Sequence, residues 1–236
     1  MPAPEAIPVN VTFPLPVRAV MIDLDGTLLD TVPDLAVAVN MMLAELDRPL
    51  LDGDLVRTFV GKGISNLVRR CVAGGLDGEP DPRLFERALP VFERCYTDVN
   101  GKYTTIYPGV MDGLDALRAA GFPLACITNK SGRFTLPLLA DKGLAGYFGV
   151  VVAGDTLPKR KPDPLPLIHA CGMFGIQPHA MLMIGDSLND AQAARAAGCP
   201  VFCVSYGYNE GKDVRRLDID AIVPSLLDAT RLIRKA

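Results

Sequence analysis

The chain has 236 residues, of which 49% are hydrophobic and 22% are charged, and its formal net charge at pH 7 is −3. This length and composition are typical of a globular protein with one large domain, or with a core domain and a smaller one. The slightly negative charge and the absence of a Lys/Arg-rich run argue against a nucleic-acid-binding protein, and no apolar stretch approaches the ~20 residues that cross a bilayer.

The N-terminal segment contains several prolines and no basic region, so it is not typical of a signal peptide. We predict that residues 1–16 form an N-terminal extension. The six cysteines lie mostly within apolar runs. Cys199 and Cys203 are four residues apart, but no second cysteine pair or neighbouring histidine completes a zinc site. Buried, reduced thiols are the expected state, which indicates a cytoplasmic protein.

The first predicted strand, VRAVMIDLD at residues 17–25, contains the apolar run AVMI and ends in acidic residues. After it, residues from about 33 to 102 show apolar residues at helical spacing and no convincing strand, which predicts four helices. Pro33 suits the first turn of the first helix, with Thr31 or Val32 just before that helix. We expect this helical block, residues 33–102, to be a small cap over the carboxyl ends of the strands, because the chain leaves the core there.

From Gly109 onward, short apolar runs alternate with amphipathic stretches. Strands that are apolar throughout and alternate with helices predict a parallel sheet that is covered on both faces. Right-handed crossovers then give an α/β fold with a doubly wound, Rossmann-like core of residues 17–32 and 103–236. The strands are predicted within FPLACIT, GVVVAGD, AMLMIG, PVFCVSYG and DAIVPS, and the last helix near Leu226–Arg234.

Four polar motifs each follow a predicted strand. Each motif alone is compatible with a turn, a helix cap or a solvated loop. Because the ends of parallel strands meet at the edge where such sheets bind ligands, we expect the four motifs to converge on one functional site. The motifs are DLDGT at Asp23–Thr27, TNK at Thr128–Lys130, KPDP at Lys161–Pro164 and GDSLND at Gly185–Asp190.

The residue types in these motifs suit a divalent cation and a phosphate. Asp23 and Asp25 are two residues apart in a strand, so both side chains can approach one ligand. Mg²⁺ prefers a few carboxylate oxygens together with water and a substrate phosphate, and Asp23, a nearby backbone carbonyl and Asp186 are the candidate protein ligands. One carboxylate then lies beside phosphorus as a nucleophile. Mn²⁺ is an alternative ion, although availability favours Mg²⁺.

From residue 17 to the C-terminus, the chain resembles the haloacid dehalogenase superfamily, whose four motifs are similar to DLDGTLLDTVPDL, ITN, KPDP and GDSLND here. The resemblance implies that Asp23 attacks phosphorus and forms an aspartyl-phosphate. It also implies that Asp25 protonates the leaving alcohol and then activates water, and that the backbone carbonyl of Asp25 binds Mg²⁺. Asp186 is implied to ligate Mg²⁺, directly or through water.

By the same resemblance, Thr128 and Asn129 hold the phosphoryl oxygens and Lys161 offsets the developing negative charge. Asp190 is expected to support Lys161 or the shell around the metal. Lys159 competes with Lys161 for the third-motif role, since PKRKPDP contains both lysines. We favour Lys161 because it fits the lysine–proline pattern of that motif.

The cap stretch TFVGKGISNLV resembles the cap loop of bacterial phosphoglycolate phosphatases. Gly61 and Gly63 leave backbone groups accessible, and Lys62 or the N-terminus of the helix that begins at Ile64 could meet a substrate carboxylate. A turn between two helices, with its lysine facing solvent, is the equal alternative.

Three other charged residues in this part of the chain are expected to have no catalytic role. Asp30 is predicted to be structural, near the start of the cap. Arg69 and Arg70 are predicted to lie on a solvated helix face, although a contact with a substrate anion is an alternative.

An acid at Asp25 favours a phosphatase or a phosphomutase, because dehalogenases of the superfamily lack it and its transport ATPases carry Thr there. The resemblance therefore predicts a Mg²⁺-dependent phosphomonoester hydrolase in the cytoplasm that converts 2-phosphoglycolate to glycolate. The alternatives are a phosphatase for a sugar phosphate, such as an amino-sugar phosphate, and a non-catalytic regulator that binds a phosphate ligand. We expect a small phosphorylated substrate, no nucleic-acid or membrane partner, and a monomer or homodimer.

Overall fold

The structure is a computed structural model that describes residues 12–236. No helix within that range is long and apolar enough to cross a membrane. The strands are β1 (Leu15–Val17), β2 (Ala19–Ile22), β3 (Leu29–Asp30), β4 (Thr105–Ile106), β5 (Leu124–Ile127), β6 (Val150–Val152), β7 (Met181–Gly185), β8 (Val201–Val204), β9 (Ala221–Val223) and β10 (Ile233–Lys235). The α-helices are α1 (Val32–Glu45), α2 (Gly53–Phe59), α3 (Ile64–Ala73), α4 (Pro82–Val99), α5 (Val110–Ala119), α6 (Gly132–Asp141), α7 (Leu165–Phe174), α8 (Leu188–Ala197) and α9 (Leu226–Arg231).

Six strands form a parallel sheet in the order β6–β5–β2–β7–β8–β9. The side chains of β2 show why these strands are apolar throughout. Val20 and Ile22 pack on one face of the sheet, Ala19 and Met21 pack on the other, and all four are fully buried. The first face is covered by α5, α6 and α9, and the second by α7 and α8. The predicted doubly wound α/β core is confirmed.

The order of the strands determines where a ligand site can form. From β2 the chain continues to β5 and β6 on one side of the sheet, and then crosses to β7, β8 and β9 on the other side. The carboxyl ends of β2, β5 and β7 are therefore neighbours at the point where the winding direction changes. Open parallel sheets bind ligands at this point.

The helices α1 to α4 form a hydrophobic cluster of their own, which we call the cap. Phe59, Phe92 and Tyr96 are among its largest buried side chains. Phe134 of α6 and Tyr208 of the loop after β8 belong to the same cluster, so the cap packs against the core. The antiparallel pair of β3 and β4 connects the two parts. The four helices of the cap lie within residues 32–99. The division of the chain into a core and a cap domain of residues 33–102 stays a prediction.

The two ends of the described chain pair with each other, since β1 and β10 run parallel with Leu15 opposite Ile233. The expected last helix near Leu226–Arg234 is therefore wrong in its final part, because α9 ends at Arg231. Ile233 is buried in the main core, and Leu15 packs against that core. This burial and the backbone pairing favour a strand over a continued helix. Most of the predicted extension, residues 1–16, lies outside the described residues, but β1 begins within it.

Asp34, in the first turn of α1, joins the cap to the segment that returns to the core. Its carboxylate is fully buried and accepts hydrogen bonds from the backbone N–H groups of Gly101 (2.7 Å) and Tyr103 (2.6 Å) and from the hydroxyl of Thr104. A buried carboxylate is unfavourable without partners, and here three donors surround it. The contact therefore fixes the end of the cap against its beginning.

We expect Asp34→Ala to lower the free energy of unfolding by about 2–4 kcal/mol, because buried donors lose their acceptor. Urea unfolding followed by far-UV circular dichroism measures this change. Asp98→Ala is the matched control, since Asp98 is exposed on α4 and accepts no hydrogen bond within residues 12–236. If the Asp34 variant is as stable as this control, the carboxylate does not hold the segment.

Candidate active site

The four motifs meet at the carboxyl edge of the sheet, under the cap. Asp23 follows β2, Thr128 follows β5 and Asp186 follows β7, while Lys161 lies in the loop between β6 and α7. All four residues line one cavity. Its other side is formed by the cap residues Leu35, Val60, Gly61, Gly63, Ile64 and Leu67.

Lys161 is the central contact of this site. Its ammonium group is buried and donates hydrogen bonds to Asp23 Oδ1 (2.7 Å), Asp190 Oδ1 (2.7 Å) and the carbonyl of Ile127 (2.6 Å). Burial disfavours the ammonium form, but the carboxylates of Asp190 and Asp23 outweigh it and raise the pKa of Lys161 above its ordinary value. Lys161 is therefore charged and connects the segments that follow β2, β6 and β7.

Three buried carboxylates, those of Asp23, Asp186 and Asp190, form an acidic cluster in which each places one oxygen within 4.8 Å of the others. Burial raises the pKa of Asp23 to about 7, opposed by Lys161 and assisted by Asp190 and Asp25. Burial also raises the pKa of Asp186 well above its ordinary value, with Asp190 and Asp23 adding to the effect. Both shifts indicate that the ionised acidic cluster has too little positive charge around it.

The charges in this site do not balance. The acidic cluster and Asp25 together carry four negative charges when ionised, whereas Lys130 and Lys161 carry two positive charges. Two negative charges are therefore left uncompensated when Asp25 is ionised, and one when Asp25 holds a proton. A divalent cation with oxygen ligands would neutralise them.

The contacts of the acidic cluster indicate which of its members are free to hold such a cation. Asp190 accepts from Lys161 through Oδ1 and from the hydroxyl of Ser187 through Oδ2 (2.7 Å). Both of its oxygens are thus engaged by protein donors. Asp186 accepts from the backbone N–H of Tyr208 at Oδ2 (2.6 Å) and from the hydroxyl of Thr27 at Oδ1 with a long contact of 3.4 Å, and Asp23 accepts from Lys161 through Oδ1. Asp23 and Asp186 line the cavity and Asp190 does not, so the first two are the better candidates for cation ligands.

Two glycines allow the chain to fold closely around Asp186. Gly26 has a φ of +89°, and a Cβ atom there would lie 2.4 Å from Asp186 Oδ2; a Cβ atom on Gly207 would lie 2.1 Å from Asp186 Cβ. Neither position has room for a side chain. The close approach brings the backbone N–H of Tyr208 to Asp186 Oδ2 at 2.6 Å. The loop after β8 is therefore part of the site.

Asp25 lies outside the acidic cluster and has its own partners. Its Oδ1 accepts from the hydroxyl of Thr31 (2.7 Å) and from Lys130 Nζ (3.1 Å). Thr31 is the residue directly before α1, which decides between the two predicted starts of that helix. The buried ammonium of Lys130 also donates to the hydroxyl of Tyr96 on α4 (2.5 Å). Two donors thus hold one oxygen of Asp25.

The side chain of Asn129 binds protein carbonyls. Its Nδ2 donates to the carbonyls of Gly61 and Lys161, both at 2.9 Å, and Asn189 donates to the same Gly61 carbonyl at 3.3 Å. Within residues 12–236, the backbone N–H of Asn129 donates to no acceptor. This backbone group, together with Thr128 at the cavity wall, is the part of the second motif that is free to bind an anion.

The cap residue Lys62 forms an ion pair with Glu210 of the loop after β8 (2.8 Å) and does not line the cavity. Arg70 pairs with the same oxygen of Glu210 (2.5 Å) and donates to the carbonyl of Phe59 (3.0 Å). The expected solvated position of Arg70 is wrong, because Glu210 reaches it from the core and both side chains are largely buried. Arg69 donates to backbone carbonyls of the following loop.

Two further expectations concern residues near the rim of the site. Lys159 is exposed and pairs with Asp163 (2.9 Å), whereas Lys161 is buried against the acidic cluster. Of the two lysines, Lys161 is thus the one in the site. Asp30 accepts from the hydroxyl of Tyr208 (2.9 Å) at the point where β3 leads into the cap. This position fits the structural role predicted for it.

A family model for haloacid dehalogenase-like hydrolases matches residues 17–198. The chain belongs to this family. A protein from Nitrosospira multiformis named phosphoglycolate phosphatase is 63% identical over 224 residues, which cover 95% of this chain and 99% of the relative. A protein of the same name from Thiobacillus denitrificans is 55% identical over 225 residues, with 95% and 99% covered. A crystal structure from Haemophilus somnus, described as a predicted phosphoglycolate phosphatase, has a TM-score of 0.85 and 34% identity, and covers 90% of this chain and 96% of that chain.

The family match spans all four motifs and confirms the resemblance to haloacid dehalogenase hydrolases that those motifs predicted. Sequence reasoning nevertheless assigned no individual role to four side chains in and around the site. Lys130 lies in the TNK motif, which the sequence analysis singled out without giving this lysine a contact, and Tyr208 and Glu210 lie directly after the predicted strand PVFCVSYG. Tyr96 lies within α4, where its apolar neighbours indicate only a buried helix face.

We expect Asp23 to make the metal-free protein less stable as the pH rises from about 4 to about 7. Burial raises the pKa of Asp23 from 3.8 to about 7, so over this range the folded state keeps the proton that the unfolded chain releases. The protonated carboxyl of Asp23 contributes its full stabilisation below the ordinary pKa of 3.8. That stabilisation is lost as the pH rises through the folded-state pKa of about 7, with a slope of at most about 1.4 kcal/mol per pH unit. Urea unfolding in the presence of a chelator measures it.

The comparison that isolates this effect is between wild type and Asp23→Asn, in which the titrating group is removed. Asp112→Asn, at an exposed position of α5, is the control and should retain the wild-type pH profile. Identical pH profiles in wild type and Asp23→Asn would mean that Asp23 keeps an ordinary pKa.

Proposed function

We propose that the chain is a Mg²⁺-dependent phosphatase that hydrolyses 2-phosphoglycolate to glycolate through an aspartyl-phosphate on Asp23. The observation that carries the proposal is the position of Asp23, a buried carboxylate 2.7 Å from Lys161 and beside Asp186, at the ligand-binding edge of the sheet. The relatives that are 63% and 55% identical and named phosphoglycolate phosphatase support the substrate.

Asp23, Asp186 and the backbone carbonyl of Asp25 are the groups proposed to hold Mg²⁺. They present the oxygen ligands that this ion prefers, and the excess negative charge of the site, one charge with Asp25 protonated and two with it ionised, attracts a cation. When bound there, Mg²⁺ supplies the positive charge that allows a phosphate to approach buried carboxylates. Asp190 is assigned to Lys161, which it binds at 2.7 Å.

In the first proposed step, a carboxylate oxygen of Asp23 attacks phosphorus, and the bond from phosphorus to the ester oxygen breaks. The electron pair of that bond stays on the ester oxygen, which takes a proton from Asp25 and leaves as the alcohol. Lys161 offsets the negative charge that develops. Thr128 and the backbone N–H of Asn129 are the proposed donors to the phosphoryl oxygens.

In the second proposed step, Asp25 takes a proton from a water molecule whose oxygen attacks phosphorus. The bond from phosphorus to the Asp23 oxygen breaks, and its electron pair restores the Asp23 carboxylate as inorganic phosphate leaves. Asp25 ends the cycle protonated, as it began it. The cap above the site limits access of bulk water, which strengthens the electrostatic contacts beneath it.

A small substrate with a carboxylate suits the cavity between the motifs and the cap. Of the two cap contacts predicted for that carboxylate, Lys62 is paired with Glu210, whereas Gly63 and Ile64 at the start of α3 line the cavity. The N-terminus of α3 has no side-chain cap. Its first backbone N–H groups are therefore the proposed contact for the substrate carboxylate.

A small phosphorylated molecule is the proposed partner, and the cytoplasm is the proposed compartment. All six cysteines are buried and form no disulfide, which supports a reducing environment. A monomer or a homodimer stays the prediction for the oligomeric state.

We expect 2-phosphoglycolate to give the highest kcat/KM in a panel of small phosphate esters that includes sugar phosphates and amino-sugar phosphates. Asp23→Asn should abolish turnover of every ester, because an amide is a far weaker nucleophile than a carboxylate. Phosphate release measures both results, and Asp112→Asn serves as the control. A clear preference for an amino-sugar phosphate would replace the proposed substrate, and turnover by Asp23→Asn would refute the nucleophile.

Removal of divalent cations with a chelator should abolish turnover, and added Mg²⁺ should restore it. In Asp186→Asn, the Mg²⁺ concentration for half-maximal activity should rise by at least about 10-fold, because a proposed ligand is weakened. Titration of activity with Mg²⁺ measures this change, with Asp163→Asn as a control outside the acidic cluster. Full turnover in the chelator would contradict the proposed metal dependence.

A further inference from the structure

Lys130 is a buried cation to which the two proposed steps give no role. Its side chain is largely buried, and its Nζ donates to Asp25 Oδ1 (3.1 Å) and to the hydroxyl of Tyr96 (2.5 Å). A buried ammonium is unfavourable unless its partners compensate it. A lysine in this position therefore needs an explanation beyond packing.

The partners of Lys130 come from both parts of the protein. Asp25 belongs to the core, in the first motif, whereas Tyr96 belongs to α4 of the cap. Nζ also lies 4.7 Å from the centroid of the Tyr96 ring. Lys130 thus connects the cap to Asp25 through a continuous set of charged and polar contacts.

Tyr96 is itself fixed by aromatic neighbours. Its ring stacks on Phe92 of the cap, with centroids 5.5 Å apart, and contacts Phe134 of the core at 4.7 Å. It is fully buried. The hydroxyl therefore has one position when α4 is seated on the core, and any movement of α4 away from the core takes it from Lys130.

Asp25 depends on these contacts for its orientation. Lys130 and Thr31 both donate to Oδ1, and no donor within residues 12–236 binds Oδ2. The carboxyl group is therefore held by one oxygen and presents the other. Thr31 stands directly before the first helix of the cap, so both donors are linked to the position of the cap.

We propose that Lys130, supported by Tyr96 of the cap, is a positioning residue that orients Asp25 for proton transfer when the cap is seated. The proposal rests on the proposed function, in which Asp25 gives its proton to the ester oxygen. Lys130 does not touch the reacting atoms. It acts through Asp25, and its effect is therefore confined to esters whose leaving group needs that proton.

The leaving group provides the test. The alkoxide released from 2-phosphoglycolate needs protonation, whereas the phenolate released from p-nitrophenyl phosphate is stable without it. We expect Lys130→Met to lower kcat/KM for 2-phosphoglycolate by about 10²-fold and for p-nitrophenyl phosphate by less than about 10-fold, with KM nearly unchanged. Lys159→Met, at an exposed lysine beside the third motif, is the matched control and should match wild type on both esters. Equal losses on the two esters would assign Lys130 a purely structural role and overturn the proposal.

A second variant covers the case in which Lys130→Met does not fold. Tyr96→Phe keeps the ring and the lysine and removes only the hydroxyl, and it should show the same preference for the activated ester with a smaller loss. In an Asp25→Asn background, Lys130→Met should cause no further loss on 2-phosphoglycolate, because both changes remove one function. Losses that multiply in the double variant, or a Tyr96→Phe enzyme that loses equally on both esters, would overturn the proposal.

The same experiment separates this inference from the proposed function. If wild type prefers another alkyl phosphate, the substrate assignment fails, and the comparison of leaving groups is made with that ester. If wild type hydrolyses esters and Lys130→Met loses equally on alkyl and aryl phosphates, only the positioning role fails. If wild type hydrolyses no phosphate ester, both proposals fail together.

Discussion

The structure depends on the contacts of one buried ammonium group, that of Lys161. Its hydrogen bonds to Asp23 and Asp190 at 2.7 Å bring together segments that follow three different strands. Like charges repel strongly at low dielectric, so these two carboxylates could not lie close together in a buried site without that cation. The sheet places these carboxylates at one edge, and the positive charge of Lys161 offsets the repulsion between them.

A second buried lysine, Lys130, compensates part of the remaining negative charge. Lys130 compensates Asp25, and Lys161 compensates Asp23 and Asp190. Asp186 is left with the N–H of Tyr208 and the hydroxyl of Thr27, and with no cationic partner among the residues described. The deficit of positive charge is therefore concentrated on the side of the cavity where Asp186 and Asp23 face each other. Asp23 and Asp25 lie only two residues apart but have different lysine partners, which fits the different roles proposed for them.

Much of the fold and of the site follows from local sequence patterns, because each pattern carries its own physical reason. Continuous apolar runs must be covered on both faces, which predicted the parallel sheet, and polar motifs after such runs must meet at one edge. The features that the sequence analysis missed or predicted wrongly depend on contacts between residues far apart in the sequence. The strand pairing of Ile233 with Leu15, the burial of Arg70 by Glu210 and the contact of Lys130 with Tyr96 each join residues more than 30 positions apart. No local spacing shows them.

The contacts between cap and core involve the same loops as the proposed chemistry. The carbonyl of Gly61 in the cap accepts from Asn129 of the second motif and from Asn189 of the fourth. Tyr208 binds Asp186 through its backbone and Asp30, where the cap begins, through its hydroxyl. A cap that moved alone would break hydrogen bonds made by residues next to the proposed phosphate and metal ligands. Seating of the cap and alignment of those ligands are therefore coupled energetically, and a substrate that stabilises one also stabilises the other.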